Sequence, residues 1–196
     1  MEIAGKLSQT QAVYWWEEAL KILIKSKIKW SEIASDVEKV MTARKGTQEL
    51  FNFCESQKIP ILIISAGVRD VIELWCQRLG FKPTLILSTD LIFDEKGYLS
   101  SWNSDSLIHI LNKKEKGHRE VSKIREERPN IILLGDSLDD AAMVNDSKHV
   151  LKIIIDDPGI GKTQKDENFY KNVFSKFDLC LQSENLQPVV NLLKLI

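Results

Sequence analysis

Two short, unbroken apolar runs do most to limit what this chain can fold into. One is IPILIIS, residues 59–65, and the other is NIILLGD, residues 130–136. Neither alternates apolar with polar residues, as a strand with one wet face does. Runs of this length without alternation suit strands buried on both faces of a parallel sheet. TLILS (84–88), HVLKIII (149–155) and DLCLQ (178–182) repeat the pattern. LIFDEKGYLSSW alternates around a turn at Asp94–Gly97 and predicts a β-hairpin.

Helical spacing fills the intervals. Ser8 is placed to cap a first helix through Ala12, Trp15, Trp16, Leu20, Leu23 and Ile24. A second is expected from Ser31 through Ile33, Val37 and Val40 to Met41, and a third after Gly46 in TQELFNFCESQK. AGVRDVIELWCQRLG predicts a helix stopped by Gly80. Further helices are expected over Asn112–Glu127, from AAMVNDS onward, and in the closing NLQPVVNLLKLI. Strands alternating with helices define an α/β fold with a mainly parallel sheet.

Composition narrows the function classes. The 196 residues suit one domain with at most a small appendage. A formal net charge of -1 gives no pull toward a nucleic acid polymer or an anionic membrane. No apolar run approaches a membrane span, and MEIAGKLSQTQ lacks the features of a signal peptide. Cys54, Cys76 and Cys180 stand far apart and read as reduced thiols, so the expected location is the cytoplasm.

In open parallel sheets the chemistry sits beyond the carboxyl ends of the strands. In ISAG, Ser65 offers a hydroxyl, and Ala66 and Gly67 offer backbone N–H groups, an anion site if a helix opens there. Alternatively Ser65 only caps that helix. In GDSLDD, Gly135 allows close approach of backbone, and Asp136 is placed to give carboxylate oxygen to a hard cation such as Mg²⁺. Helix capping accounts for Asp139 or Asp140 but less readily for Asp136. Lys113 and Lys114 lie in a charge run that by itself reads as a solvated face. Together the segments point to phosphoryl chemistry.

IISAG, LNK and LLGDSLDD, in that order, resemble three motifs of haloacid-dehalogenase-type phosphatases. IPILIISAGVRDVIE, FDEKGYL, LIHILNK and NIILLGDSLDDAAM resemble more closely the pyrimidine 5′-nucleotidase family, of the cytosolic 5′-nucleotidase III type, and YWWEEALKILIKSKI resembles its cap helix. The resemblance implies a parallel sheet flanked by helices (residues 46–196) with an N-terminal helical cap segment (residues 1–45) and a small hairpin. It implies Mg²⁺-dependent hydrolysis of nucleoside 5′-monophosphates, chiefly pyrimidine ones, by a monomer. By position, Ser65, Ala66 and Gly67 would hold the phosphoryl group. Lys113 would neutralise its charge, Asp136 would bind Mg²⁺, and Asp140 would orient Lys113 or the metal shell. Trp15 and Trp16 match adjacent aromatics that can stack on a base, or else they are cap-helix core. Glu2 falls near a base-recognising glutamate. Two departures stand out: Asp139 replaces the family's usual glycine, and Glu18, Ala19 and Leu20 stand where Lys-Ser-His or Lys-Ala-His is common.

The family's aspartate nucleophile lies in a DxDxT motif on a central first strand, and no DxDxT occurs in this sequence. The expectation is therefore a fragment of a nucleotidase, inactive alone, whose two strands beside the central one each have an unpaired edge. The alternatives are a truncated protein that binds a nucleotide or a protein partner without turnover, and another small-molecule phosphatase of the superfamily.

Overall fold

A computed structural model describes residues 8–114, 118–144, 149–156 and 166–195. Glu2 lies outside them. The chain divides into two compact units, one of residues 1–42 with 60–113, the other of 43–59 with 114–196.

The first unit is built around a parallel strand pair, β1 (Leu62–Val68) and β2 (Leu85–Thr89). Helix α1 (Gln9–Lys25) starts at Ser8 in a reciprocal capping box with Gln11, as the sequence predicts. Its Leu20 packs with Leu91 and Leu99 of the antiparallel hairpin β3 (Leu91–Phe93) and β4 (Leu99–Trp102). Gly97, at φ +78°, closes the hairpin turn, where an L side chain would be strained. Helix α2 (Trp30–Val40) is tied to helix α4 (Arg69–Leu79) by Arg78, whose guanidinium donates to the Val37 and Met41 carbonyls. Gly80 ends α4 in the left-handed conformation, as expected.

The second unit carries a parallel sheet in the order β5 (Ile131–Gly135), β6 (Val150–Ile155), β7 (Leu179–Leu181). Ile154, Val173, Phe177 and Ala141 form its core. Helices α3 (Thr47–Ser56), α5 (Arg119–Glu127), α6 (Glu167–Phe174) and α7 (Gln187–Leu193) complete it. Among the described residues, β1 pairs only with β2 and β5 only with β6, so each offers one open edge.

Three local expectations are corrected, and one helix is added. Strand β1 runs on through Ala66, Gly67 and Val68, and α4 opens at Arg69 with no side-chain cap. Ser65 therefore caps no helix, and its neighbours are strand. The helix expected from Asn112 starts at Arg119, because both polar atoms of the Asn112 side chain bond to loop backbone instead. The helix expected from AAMVNDS is a 3₁₀ turn over Leu138–Ala142, begun earlier by a Ser137–Asp140 capping box; residues 145–148 lie outside the described set. Helix α6 has no counterpart in the sequence reading. Its signals are Asp166, which accepts from the Phe169 N–H, and the i, i+4 spacing of Phe169 and Val173.

Candidate active site

In the first unit the candidates Ser65, Ala66 and Gly67 lie toward the carboxyl end of β1, beside that of β2. Ile64 pairs with Leu87 and Val68 with Thr89, so Ser65, Ala66 and Gly67 bulge opposite Ser88 alone. The bulge is held by hydroxyls. The Gly67 N–H donates to Ser65 Oγ at 3.0 Å, and Ser88 Oγ donates to the Gly67 carbonyl at 2.8 Å. The Gly67 N–H is thus engaged within the bulge. Ser65 Oγ accepts that bond and keeps its own proton to donate.

Lys113 follows a loop, residues 107–112, pinned by side chains. The Ile108 N–H donates to Thr89 Oγ1 at 3.1 Å. The His109 N–H donates to Asn112 Oδ1 at 2.6 Å, and Asn112 Nδ2 donates to the Leu107 carbonyl. The Leu111 N–H donates to His109 Nδ1 at 3.2 Å, which fixes a neutral imidazole protonated on Nε2. His109 is buried, and burial pushes its pKa below the usual histidine range. Lys113 is half-buried.

The two adjacent indoles behave differently. They stack with ring centroids 5.7 Å apart and planes at 21°. Trp16 packs on the Leu20–Leu91–Leu99 core, and its Nε1–H points at Thr89 Oγ1, 3.5 Å away. Trp15 is 64% exposed. The pair therefore divides: Trp16 belongs to the core, and Trp15 is exposed. Arg69 and Asp90 form a half-buried ion pair, and Asp70 accepts from the Leu91 N–H at 3.2 Å.

In the second unit Asp136 emerges at the end of β5, exposed. Among the described residues no hydrogen bond or ion pair engages its carboxylate, which leaves its lone pairs to a ligand. Asp140 is buried, and its Oδ2 accepts the N–H groups of both Asp136 (3.0 Å) and Ser137 (3.1 Å). A side chain at Gly135 would set its Cβ 2.6 Å from the Asp140 Cβ, so the strand end closes on the acid only because residue 135 is glycine. Lys152 Nζ donates to the Ala141 carbonyl at 2.7 Å, bracing the end of the same turn. Among the described residues no three His, Cys, Asp or Glu side chains assemble as a metal cage. One unengaged carboxylate at a strand end is the donor chemistry of a cation that keeps most of its waters, as Mg²⁺ does.

Ser65, Gly67, Lys113, Asp136 and Asp140 are candidates from the sequence; Ser88, Thr89, His109, Asn112 and Lys152, which make bonds around them, carry no signal in it. No helix of the described residues is long and apolar enough to cross a membrane.

The α/β architecture is shared with solved structures. The chain superposes on phosphoserine phosphatase with a TM-score of 0.62 at 16% identity, covering 93% of this chain and 82% of that one. It superposes on cytosolic 5′-nucleotidase IIIB, solved with cytidine bound, with a TM-score of 0.78 at 24% identity, covering 99% of this chain and 67% of that one. These likenesses establish the haloacid-dehalogenase-like fold. Over residues 2–196 the sequence matches the family described as pyrimidine 5′-nucleotidase (UMPH-1), and the chain belongs to that family. Among curated relatives it is 32% identical to 7-methylguanosine phosphate-specific 5′-nucleotidase A of Xenopus laevis, over 91% of this chain and 62% of that protein. It is 31% identical to the 7-methylguanosine phosphate-specific 5′-nucleotidase of Homo sapiens, over 91% of this chain and 60% of that protein. The chain therefore spans about three fifths of the length of these relatives.

Proposed function

We propose that this chain supplies the phosphate, metal and base half-sites of a cytoplasmic, monomeric 5′-nucleotidase that hydrolyses nucleoside 5′-monophosphates. The observation that carries the reading is the Asp136 carboxylate at the end of β5, where Asp140 accepts the residue's backbone N–H and no described group engages the carboxylate itself. In this reading the Ser65 hydroxyl donates to a phosphate oxygen, and the bulge at Ala66–Gly67 lets that oxygen approach the backbone. Lys113 supplies a positive charge against the phosphate dianion. Asp136 would hold Mg²⁺, which when bound supplies positive charge suited to phosphoryl chemistry. Asp140 orients Asp136 through the two N–H groups that it accepts. Asp139 adds negative charge beside the metal position. Helices α1 and α2, within the cap segment of residues 1–45, supply the base side, with Trp15 as the stacking surface and Glu2 as a polar contact to the base. A positively charged base such as 7-methylguanine would gain a cation–π contribution on an indole that a neutral pyrimidine would not.

Phosphoryl transfer in this scheme needs a carboxylate nucleophile. The sequence holds no DxDxT, so the reading places the nucleophile outside these 196 residues and leaves the chain alone without turnover. The test joins two measurements on the native protein from its source cells: intact mass, and phosphate release from UMP, CMP and 7-methyl-GMP with Mg²⁺ or EDTA. The expected result is a mass above 22.4 kDa, EDTA-sensitive release from at least one nucleotide, and a loss of about 100-fold or more in kcat on Asp136→Asn. A mass of 22.4 kDa with no release, or faster release from non-nucleotide phosphoesters, sinks the reading.

A further inference from the structure

Ser88 and Thr89 are consecutive, fully buried hydroxyl residues at the end of β2, 1% and 0% exposed. A buried hydroxyl without a partner is costly, so two in succession require an explanation. Consecutive strand residues point to opposite faces, so the two hydroxyls cannot serve one neighbour. They serve different ones. Ser88 donates to the Gly67 carbonyl, in the part of β1 where three residues face one and the ladder is interrupted. Thr89 Oγ1 accepts the Ile108 N–H at 3.1 Å, reaches the Ile108 carbonyl at 3.5 Å, and takes the Trp16 indole N–H at 3.5 Å. A hydroxyl has one donor and two acceptor positions, and these three contacts fill them.

We propose that Ser88 and Thr89 are positioning residues that hold three substrate-binding segments in register from one strand end. Ser88 sets the Ser65 bulge. Thr89 sets the loop that presents Lys113 and, through the Trp16 stack, the exposed face of Trp15. The proposal rests on the nucleotidase reading for the identity of the ligand, but the linkage itself is a property of these bonds. Loop 107–112 has neither strand nor helix to satisfy its backbone, so loss of the Thr89 bond frees the segment next to Lys113. A misplacement of about 1 Å at a phosphate-binding cation is enough to cost on the order of 100-fold in rate.

The test uses Thr89→Val, which keeps the shape and removes the hydroxyl, with Thr89→Ser as the conservative variant. Amide hydrogen exchange of residues 107–113 is followed in the native protein, with and without inorganic phosphate. The expected result is that phosphate slows exchange of this segment in the wild type and in Thr89→Ser but not in Thr89→Val. Exchange in β5 and β6 stays unchanged throughout, showing that the fold persists. In parallel, kcat for the best nucleotide falls about tenfold in Thr89→Val, with KM altered less than about threefold, and Thr89→Ser recovers most of it. Equal phosphate protection in Thr89→Val and wild type overturns the proposal. So does a Thr89→Ser variant no better than Thr89→Val, which would assign the role to the methyl group. A wild type whose loop does not respond to phosphate overturns it as well. If the wild type releases no phosphate from any nucleotide but its loop shows the expected Thr89-dependent protection, the nucleotidase reading falls and the positioning role stands.

Discussion

The two half-sites are held in opposite ways. In the second unit, the Asp136 strand end is locked by an acid four residues along the chain, and one Asp140 oxygen satisfies two consecutive N–H groups. In the first unit, the Ser65 bulge and the Lys113 loop are held from afar. Ser88 reaches back 21 residues to Gly67, Thr89 reaches 19 residues to Ile108, and the Trp16 indole spans 73 residues to Thr89. A lock made locally forms with its own turn, whereas a distributed hold exists only once three segments have docked. The second half-site should therefore fail by losing one residue, and the first should loosen by degrees.

The largest effect is expected from Asp140→Ala. It strands two backbone N–H groups at about 1–3 kcal/mol each where buried, and urea denaturation should show a loss of that combined size. Mg²⁺ affinity, read by calorimetry, should fall with it. Retention of both stability and Mg²⁺ affinity would break the comparison, because the lock would then not be local. Gly135→Ala attacks the same lock from the strand side. The added Cβ meets Asp140 at 2.6 Å, and an overpacking cost of about 1–3 kcal/mol follows, measurable in the same denaturation series.

The distributed half-site is probed by pH. His109 is neutral and buried in the folded chain, and its Nδ1 holds the Leu111 N–H. Unfolded, it takes up a proton at the ordinary value of about 6.5; folded, it does so only at lower pH, because burial penalises the charge. Below about pH 6.5 the unfolded state therefore binds more protons, and stability falls as pH drops toward the folded value. Chemical denaturation at neutral and mildly acidic pH should show that decline, and His109→Gln should flatten it. An unchanged slope in the variant would exclude His109 as its source.

The smallest effects separate the two indoles. Trp16→Phe removes a bond to a buried hydroxyl and should cost about 0.5–1.5 kcal/mol. Trp15→Ala, at a 64% exposed position, should leave stability within about 0.5 kcal/mol while weakening nucleotide binding measured by fluorescence. The reverse pattern would exchange their roles.

This contrast also explains what could be read in the sequence. The apolar runs, Ser8, Gly80, the Asp94–Gly97 turn and GDSLDD all act over a few residues, and each was legible because its partner lies nearby in the chain. The misplaced boundaries at Ser65–Val68 and Asn112 arise where a side chain competes with backbone structure, and the decisive partner of the bulge, Ser88, is remote. Ser88 and Thr89 close an apolar strand and carry no spacing signal. His109 and Asn112 lie inside LIHILNK, but nothing in that string shows an imidazole accepting a backbone N–H.

The stacked pair at Trp15 and Trp16 gives the protein an optical signature of its own. Two indoles 5.7 Å apart and 21° from parallel are close enough for their transition dipoles to couple. The coupling appears as a paired circular dichroism band whose sign and size depend on their mutual angle. Because one ring is anchored to Thr89 and the other lies open to solvent, a ligand that moves the outer ring alone would rescale that band without disturbing the helix signal beneath it.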